Sequence, residues 1–232
     1  DVDYATLQAK FGRDGASEAA MKGRQAIEHI QALVQEHVLD CEFRRTDGWR
    51  YTEASHSEQL EDEFEVAKEL GLSVDLPAHG PWPLMRQSLR FGGQAMFHPV
   101  QYVQALAKLV DGDGCRVYED TRVDKIVVGK PCELHVGPRV VRAAQIVHAT
   151  HTPIGLVLPL QLRVAPYMSY VIGVRIDGEV PHDLYWDTAQ PYHYLRPVYT
   201  ASGPVLLIGG EDHKTGQEPN PAAHFSALEG YA

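Results

Sequence analysis

The sequence predicts an α+β fold, a mixed and largely antiparallel sheet with helices packed against it. Three observations carry that reading. Residues 17–38 place Ala20, Ala26, Ile27, Ile30, Leu33 and Val34 at three- and four-residue intervals, an apolar stripe along a helix. Residues 115–141 run instead through short β-favouring stretches joined by Gly and Pro turns. Beyond them Tyr170, Ile172, Val174 and Ile176 alternate with Val171, Gly173 and Arg175, the period-two pattern of a half-buried strand.

Taken in order, residues 4–11 form a first helix, and Asp14 to Ser17 supplies the start signal for the helix over 17–38. Cys41-Glu42-Phe43 and Trp49-Arg50-Tyr51 flank Thr46-Asp47-Gly48, and Asp-Gly between β-favouring runs predicts a hairpin. A helix over 55–71 follows, with Ser57 near its cap, Leu60, Phe64, Ala67 and Leu70 on its buried stripe, and Gly71 as its stop. Residues 74–84 read as loop, 85–91 as a strand broken at Gly92-Gly93, and 95–97 as a short strand. His98-Pro99 opens a helix whose Val100, Val103, Leu106, Ala107 and Val110 are expected to face inward.

The runs 123–128, 133–136 and 139–141 form a meander that turns at Gly137-Pro138. Ile146-Val147 then reads as an apolar strand buried on both faces, stopping at Ala149-Thr150-His151. Ligands of open α/β sheets sit beyond such strand ends. Strands are expected over 160–176, 184–186, 192–197 and 205–208, and a last helix over 221–231.

Composition narrows the function classes. A chain of 232 residues with 44% hydrophobic and 22% charged residues can bury a real core, as one large domain or two interleaved ones. A formal net charge of −10 disfavours nucleic acid and anionic membrane surfaces as partners. No apolar run approaches the ~20 residues of a membrane span. Cys41, Cys115 and Cys132 are widely spaced and odd in number, which predicts a reducing compartment without a disulfide framework. With no signal-peptide pattern at residue 1, the expected location is the cytoplasm. The single C-x-x-H, Cys132 to His135, is too little for a metal centre, and no G-x-S-x-G supports a hydrolase.

Two stretches are dense in functional residue types: Tyr185-Trp186-Asp187-Thr188-Ala189-Gln190-Pro191-Tyr192-His193-Tyr194-Leu195-Arg196, and Gly209-Gly210-Glu211-Asp212-His213-Lys214-Thr215-Gly216. In a strand the first places Tyr192, Tyr194 and Arg196 on one face and His193 and Leu195 on the other. An aromatic face with a cation suits stacking on a planar ring and pairing a carboxylate. Gly209-Gly210 permits a bulge or close backbone approach, and Asp212 with His213 is a candidate pair at a pocket edge.

The helix followed by V-Y-E-D-T-R-V-x-x-I, with a meander closing in A-x-x-I-V-x-A-T, resembles the FAD-dependent oxidoreductases of the D-amino-acid-oxidase type. The two stretches above resemble a subgroup that often appends a Rieske iron–sulfur domain. The resemblance implies FAD as cofactor, with Val123 at its adenine end and Ala149, Thr150 and His151 against the dinucleotide. His151 stands where the family has a small residue. Tyr192, His193, Tyr194, Arg196, Gly210, Asp212 and His213 are the implied contacts to an amine or amino-acid substrate, which is oxidised by hydride transfer to flavin. Residues 1–40 and 98–155 would belong to a Rossmann-like FAD domain, and 41–97 and 156–232 to the substrate domain.

No G-x-G-x-x-G follows a strand. The chain therefore reads as the central fragment of such an enzyme, expected to hold FAD weakly or not at all. The competing reading is a non-catalytic binding or assembly module with the same sheet. An open sheet edge would favour a homo-oligomer.

Overall fold

A computed structural model describes residues 2–151, 164–176, 180 and 182–232. Asp1–Leu106 with Tyr167–Ala232 form one compact unit, and Ala107–Pro166 form a second.

In the first unit, α1 (Tyr4–Glu36) is broken at Gly12, whose φ of 72° and ψ of 175° leave the helical region. This is the break expected between residues 11 and 17, and glycine makes it at no steric cost. α2 (Glu58–Glu69) starts at Ser57, whose side chain accepts from the Leu60 amide at 3.4 Å. It is followed by Gly71 at φ 72°. Leu60 and Ala67 are fully buried, as the stripe requires. Glu63 lies on the same stripe and is only 2% exposed. It accepts the amides of Tyr4 at 3.0 Å and Ala5 at 2.8 Å, and so caps α1 from another element. Asp3, the residue at the cap position, makes no side-chain cap and pairs with Arg50 at 2.7 Å.

The expected hairpin at Asp47-Gly48 is not formed. β1 (Arg44–Thr52) runs straight through it, and neither residue has the positive φ of a type I′ turn. The reason is long-range. Asp183 accepts from Thr46 Oγ1 at 2.7 Å, the Asp47 amide at 3.1 Å and Trp49 Nε1 at 2.9 Å, holding the segment extended. Likewise Gly92-Gly93 does not end a strand. β3 (Gln87–Met96) passes through both glycines, which bulge opposite Asp47, with Gly93 at φ 71°. The loop over 74–84 contains one short strand, β2 (Val74–Asp75).

α3 (Pro99–Val110) begins at His98, whose Nδ1 accepts from the Gln101 amide at 3.3 Å, a helix-entry role. Its apolar stripe does not face inward: Val100 is 56% and Val103 62% exposed. Periodicity defines a face without supplying its partner.

In the second unit, β4 (Lys125–Val127), β5 (Cys132–Val136) and β6 (Arg139–Ala143) form the expected antiparallel meander, turning at Gly137 with φ 53°. The strand expected at Ile146-Val147 is absent, and Val147 is 88% exposed. No ladder partner meets it among the described residues, and an apolar pair without one does not make a strand.

The first unit is completed by β7 (Tyr167–Arg175), β8 (Leu184–Asp187), β9 (Tyr194–Thr200), β10 (Gly203–Lys214) and α4 (Pro221–Tyr231). Residues 160–163, expected to begin the strand before β7, lie outside the described residues. The seven-stranded sheet has the order β2-β3-β1-β8-β9-β10-β7, with β1 and β8 parallel and the other pairs antiparallel. One face packs Tyr51, Tyr185, Leu195, Leu206 and Ile208 against Leu228 of α4. The other packs Leu89 and Phe91 against Leu60 and Ala67 of α2, with Trp186 and Tyr4 beside them. Adjacent residues such as Tyr185 and Trp186 thus serve opposite cores, as strand alternation demands.

Candidate functional site

On the face toward α1 the sheet carries a cavity of about 1240 Å³. Its sheet wall includes Phe91, Trp186, Tyr192, Tyr194 and Arg196, and Ile27 of α1 lines it as well. β9 builds the centre of this wall by alternation: Tyr194 and Arg196 point in, while Leu195 joins the opposite core. Two glycines seat the aromatic rings. A Cβ on Gly209 would lie 2.1 Å from the Tyr194 ring, and one on Gly48 would lie 3.0 Å from the Trp186 ring. Both rings therefore lie over bare backbone on neighbouring strands. Gly209→Ala is expected to push Tyr194 off the sheet and to cost about 1–3 kcal/mol, the usual range for overpacking, measured by chemical denaturation.

Arg196 brings the cation. Its Nη2 donates to the Phe97 carbonyl at 2.6 Å, while its buried Nε has no hydrogen-bond partner. Burial, with Arg44 adding to it, lowers its pKa from the ordinary arginine value. No carboxylate among the described residues stands within ion-pair distance of it. Arg45, also at the cavity, is occupied by Gln31 at 2.6 Å and the Gly93 carbonyl at 3.0 Å. Arg50 is held by Asp3. Tyr192 stands beside Asp212, and burial, with that carboxylate adding to it, pushes its hydroxyl pKa up. Asp212 accepts a hydrogen bond from Ser169 Oγ, and Ser169 lines the cavity.

The opposite face, under α4, holds a second polar cluster. Asp187, 8% exposed, accepts the His193 amide at 2.8 Å, His193 Nδ1 at 2.8 Å, the Ala189 amide at 3.2 Å and Tyr231 Oη at 3.1 Å. Tyr231 Oη and Tyr51 Oη are 2.5 Å apart. Burial drives both hydroxyl pKa values up, that of Tyr51 to about 12. His193 Nε2 faces Glu211 at 3.5 Å, and Glu211 reaches His224 of α4 at 3.1 Å.

The residues singled out in the sequence thus separate. Tyr192, Tyr194 and Arg196 come together at the cavity. Asp212 reaches its edge through Ser169. Gly210 lies under the Tyr192 carbonyl, where a Cβ would be 2.6 Å away. His193 belongs to the cluster under α4, and His213 stacks there on Tyr170 and His224 with ring centroids 5.6 and 4.7 Å away. Asp212 and His213 form no pair: β10 bulges at Glu211 and Asp212 opposite Ser169. This bulge lies in a strand that continues to Lys214, beyond its expected end at Ile208. Val123, Ala149, Thr150 and His151 lie in the second unit. Val123 is half-buried ahead of β4, Ala149 to His151 are exposed, and His151 is at φ 57°. Glu63 carried no functional signal in the sequence, because its partner amides at Tyr4 and Ala5 are distant in the chain, whereas Trp186 and Asp187 stood in the first dense stretch without an assigned contact. No group of three or more metal-ligating side chains occurs among the described residues. No described helix is long and apolar enough to cross a membrane.

The family model of the FAD-dependent oxidoreductases (DAO) matches residues 7–231. YhfW of Bacillus subtilis (strain 168), which bears the name of a Rieske 2Fe-2S iron-sulfur protein, is 30% identical over 235 residues. That match takes in 98% of this chain and 46% of YhfW. Among solved structures, glycine oxidase from Bacillus cereus ATCC 14579 superposes with a TM-score of 0.68 at 15% identity, over 92% of this chain and 62% of that one. L-proline dehydrogenase from P. horikoshii gives 0.67 at 14% identity, over 100% of this chain and 63% of that one. At these identities the two structures establish a shared fold. The chain spans about half the length of the curated relative it matches.

Proposed function

The chain belongs to the FAD-dependent oxidoreductase family of the D-amino-acid-oxidase type, and from that premise we propose that its cavity is the substrate side of an amine or amino-acid oxidoreductase. FAD, when bound, supplies the hydride acceptor for the substrate carbon next to nitrogen. The residues of this chain bind and orient the substrate: Arg196 holds a carboxylate, and Tyr192, Tyr194 and Trp186 wall off water around the apolar part. The observation that supports this most is the convergence of Tyr192, Tyr194 and Arg196 on one cavity, with no carboxylate among the described residues within ion-pair distance of Arg196.

The fit to FAD itself is divided. The aromatic wall suits a planar ring system. A pyrophosphate needs free amides at a helix N-terminus, and side chains of this protein already take amides at the starts of α1, α2 and α3. Glu63 takes those of α1, Ser57 one of α2 and His98 one of α3. We therefore hold that these 232 residues bind FAD weakly or not at all, and that Val123, Ala149, Thr150 and His151 contact it in a longer protein. Titration with FAD, followed by flavin fluorescence, is expected to show no saturable quenching. A flavin spectrum that survives gel filtration would overturn this.

The occupied helix starts also favour the second reading, a binding module with no chemistry of its own. Amino acids that bleach the flavin of the longer protein, when their decarboxylated amines do not, would exclude it. The name of YhfW supports placing an iron–sulfur domain in that longer protein. Self-association through the edge at β7, which pairs with β10 alone among the described residues, is part of the same proposal, and a monomer by light scattering at high concentration would refute it.

A further inference from the structure

We propose that Asp187 and His193 are positioning residues that act from the α4 side of the sheet to hold Tyr192, Tyr194 and Arg196 along the cavity. The inference rests on reading that cavity as the substrate side. The ladder between β8 and β9 is short: Tyr185 opposes Leu195 and Trp186 opposes Tyr194. Beyond it, the chain from Thr188 to His193 is a turn with no strand of its own. Tyr194 is the last rung of that ladder and of the ladder to β10, where it opposes Gly209, and Tyr192 lies two residues beyond both.

Asp187 is the residue that closes that end. Its amide donates to the His193 carbonyl at 3.0 Å, and its carboxylate takes the amides of Ala189 and His193 and the His193 ring. His193 extends the lock sideways. Its Nε2 faces Glu211 in the bulge of β10, and its ring stacks on Tyr231 of α4 with centroids 4.0 Å apart. Two glycines of β10 seat the residues on either side. Gly210 leaves room for the Tyr192 carbonyl and His193 Cδ2, and Gly209 for the Tyr194 ring. With His193 held on the α4 side immediately before β9, Tyr194 opens that strand on the cavity side, and Tyr192 ahead of it lines the same cavity. A buried acceptor with four donors is costly to vacate, so the turn has one well-defined position.

The test uses this chain and benzoate, a planar ring with one carboxylate, as probe. His193→Phe keeps a ring against Tyr231 and deletes both nitrogens. It is expected to weaken benzoate binding about tenfold or more. It should also abolish the nuclear Overhauser effects between the Tyr194 ring and Gly209. Those between Trp82 and Tyr185, whose rings pack at 5.9 Å in the core, should remain, which a general loss of structure would not allow. Asp187→Asn keeps the shape and one acceptor, and should fall between wild type and Asp187→Ala. It carries the same test if the other variants do not fold. An intact Tyr194–Gly209 contact in H193F and in D187A overturns the positioning role, whatever the affinity. Arg196→Met separates the two readings. If it leaves benzoate affinity unchanged, the carboxylate reading of the cavity fails, while the Tyr194–Gly209 contact still decides the positioning role.

Discussion

Glu63→Ala is expected to lower the stability of the chain by about 3 kcal/mol. The carboxylate is buried on α2 and is the partner of two backbone amides at the start of α1. Alanine removes both acceptors at once, and Asp3 at the cap position makes no side-chain cap that would replace them. An orphaned buried amide costs about 1–3 kcal/mol, and the vacated volume adds to it. The loss is larger than for an ordinary exposed cap, for which about 1 kcal/mol is typical. Urea unfolding monitored by far-UV circular dichroism measures it, and a change under about 0.5 kcal/mol would refute the capping role.

The pH dependence has a definite sign. Burial raises the Glu63 pKa above its ordinary 4.5, and the two amides lower it without cancelling the shift. The native state therefore binds this proton more tightly than the unfolded chain. Stability contributed by Glu63 then falls as pH rises through the window above 4.5, and is recovered as pH falls back through it. The gap between wild type and Glu63→Ala is thus expected to widen on acidification. A gap that narrows would mean that the carboxylate is better ionised than protonated in the fold.

Much of the fold was legible because it is written in local periodicity. The stripe of α2, the alternation along β7 and the facing of Tyr194 and Arg196 along β9 all follow from spacing alone. The illegible parts depend on residues far away in the chain. Asp47-Gly48 is a strong hairpin signal over four residues, yet Asp183 holds the segment extended from 136 positions away. Glu63 occupies a stripe position, but a carboxylate reads as solvent-facing until its partner amides are known. Asp187 and Glu211 stood in the two dense stretches, but what brings Glu211 of β10 and Tyr231 of α4 onto His193 is not local, so His193 was legible as a functional residue type and not as part of a lock. Ile146-Val147 failed for the opposite reason, since its apolar run is real but meets no ladder among the described residues.

Arg196→Met is expected to weaken benzoate binding by about a hundredfold while leaving the chain as stable as before, or more stable. The two effects share one cause. Arginine stays charged even when burial lowers its pKa. Its Nη2 is anchored on the Phe97 carbonyl and its Nε is buried without a partner, so the guanidinium is held in place and under-satisfied. A half-buried cation with no carboxylate within ion-pair distance among the described residues, and only Glu42 acting on it from further off, is a burden to the fold that methionine relieves. An incoming carboxylate relieves it too, and that relief is the affinity the variant loses. Losing one partner of a desolvated charge pair costs about 2–5 kcal/mol, which makes a hundredfold change a moderate expectation. Arg196→Lys keeps the charge without the planar fork and should fall between the two. Calorimetric titration with benzoate and thermal unfolding of the same samples read both effects. A binding residue loses affinity and not stability, whereas a strut loses stability and not affinity. The second pattern would move the substrate carboxylate away from Arg196 and leave the aromatic wall without its cation.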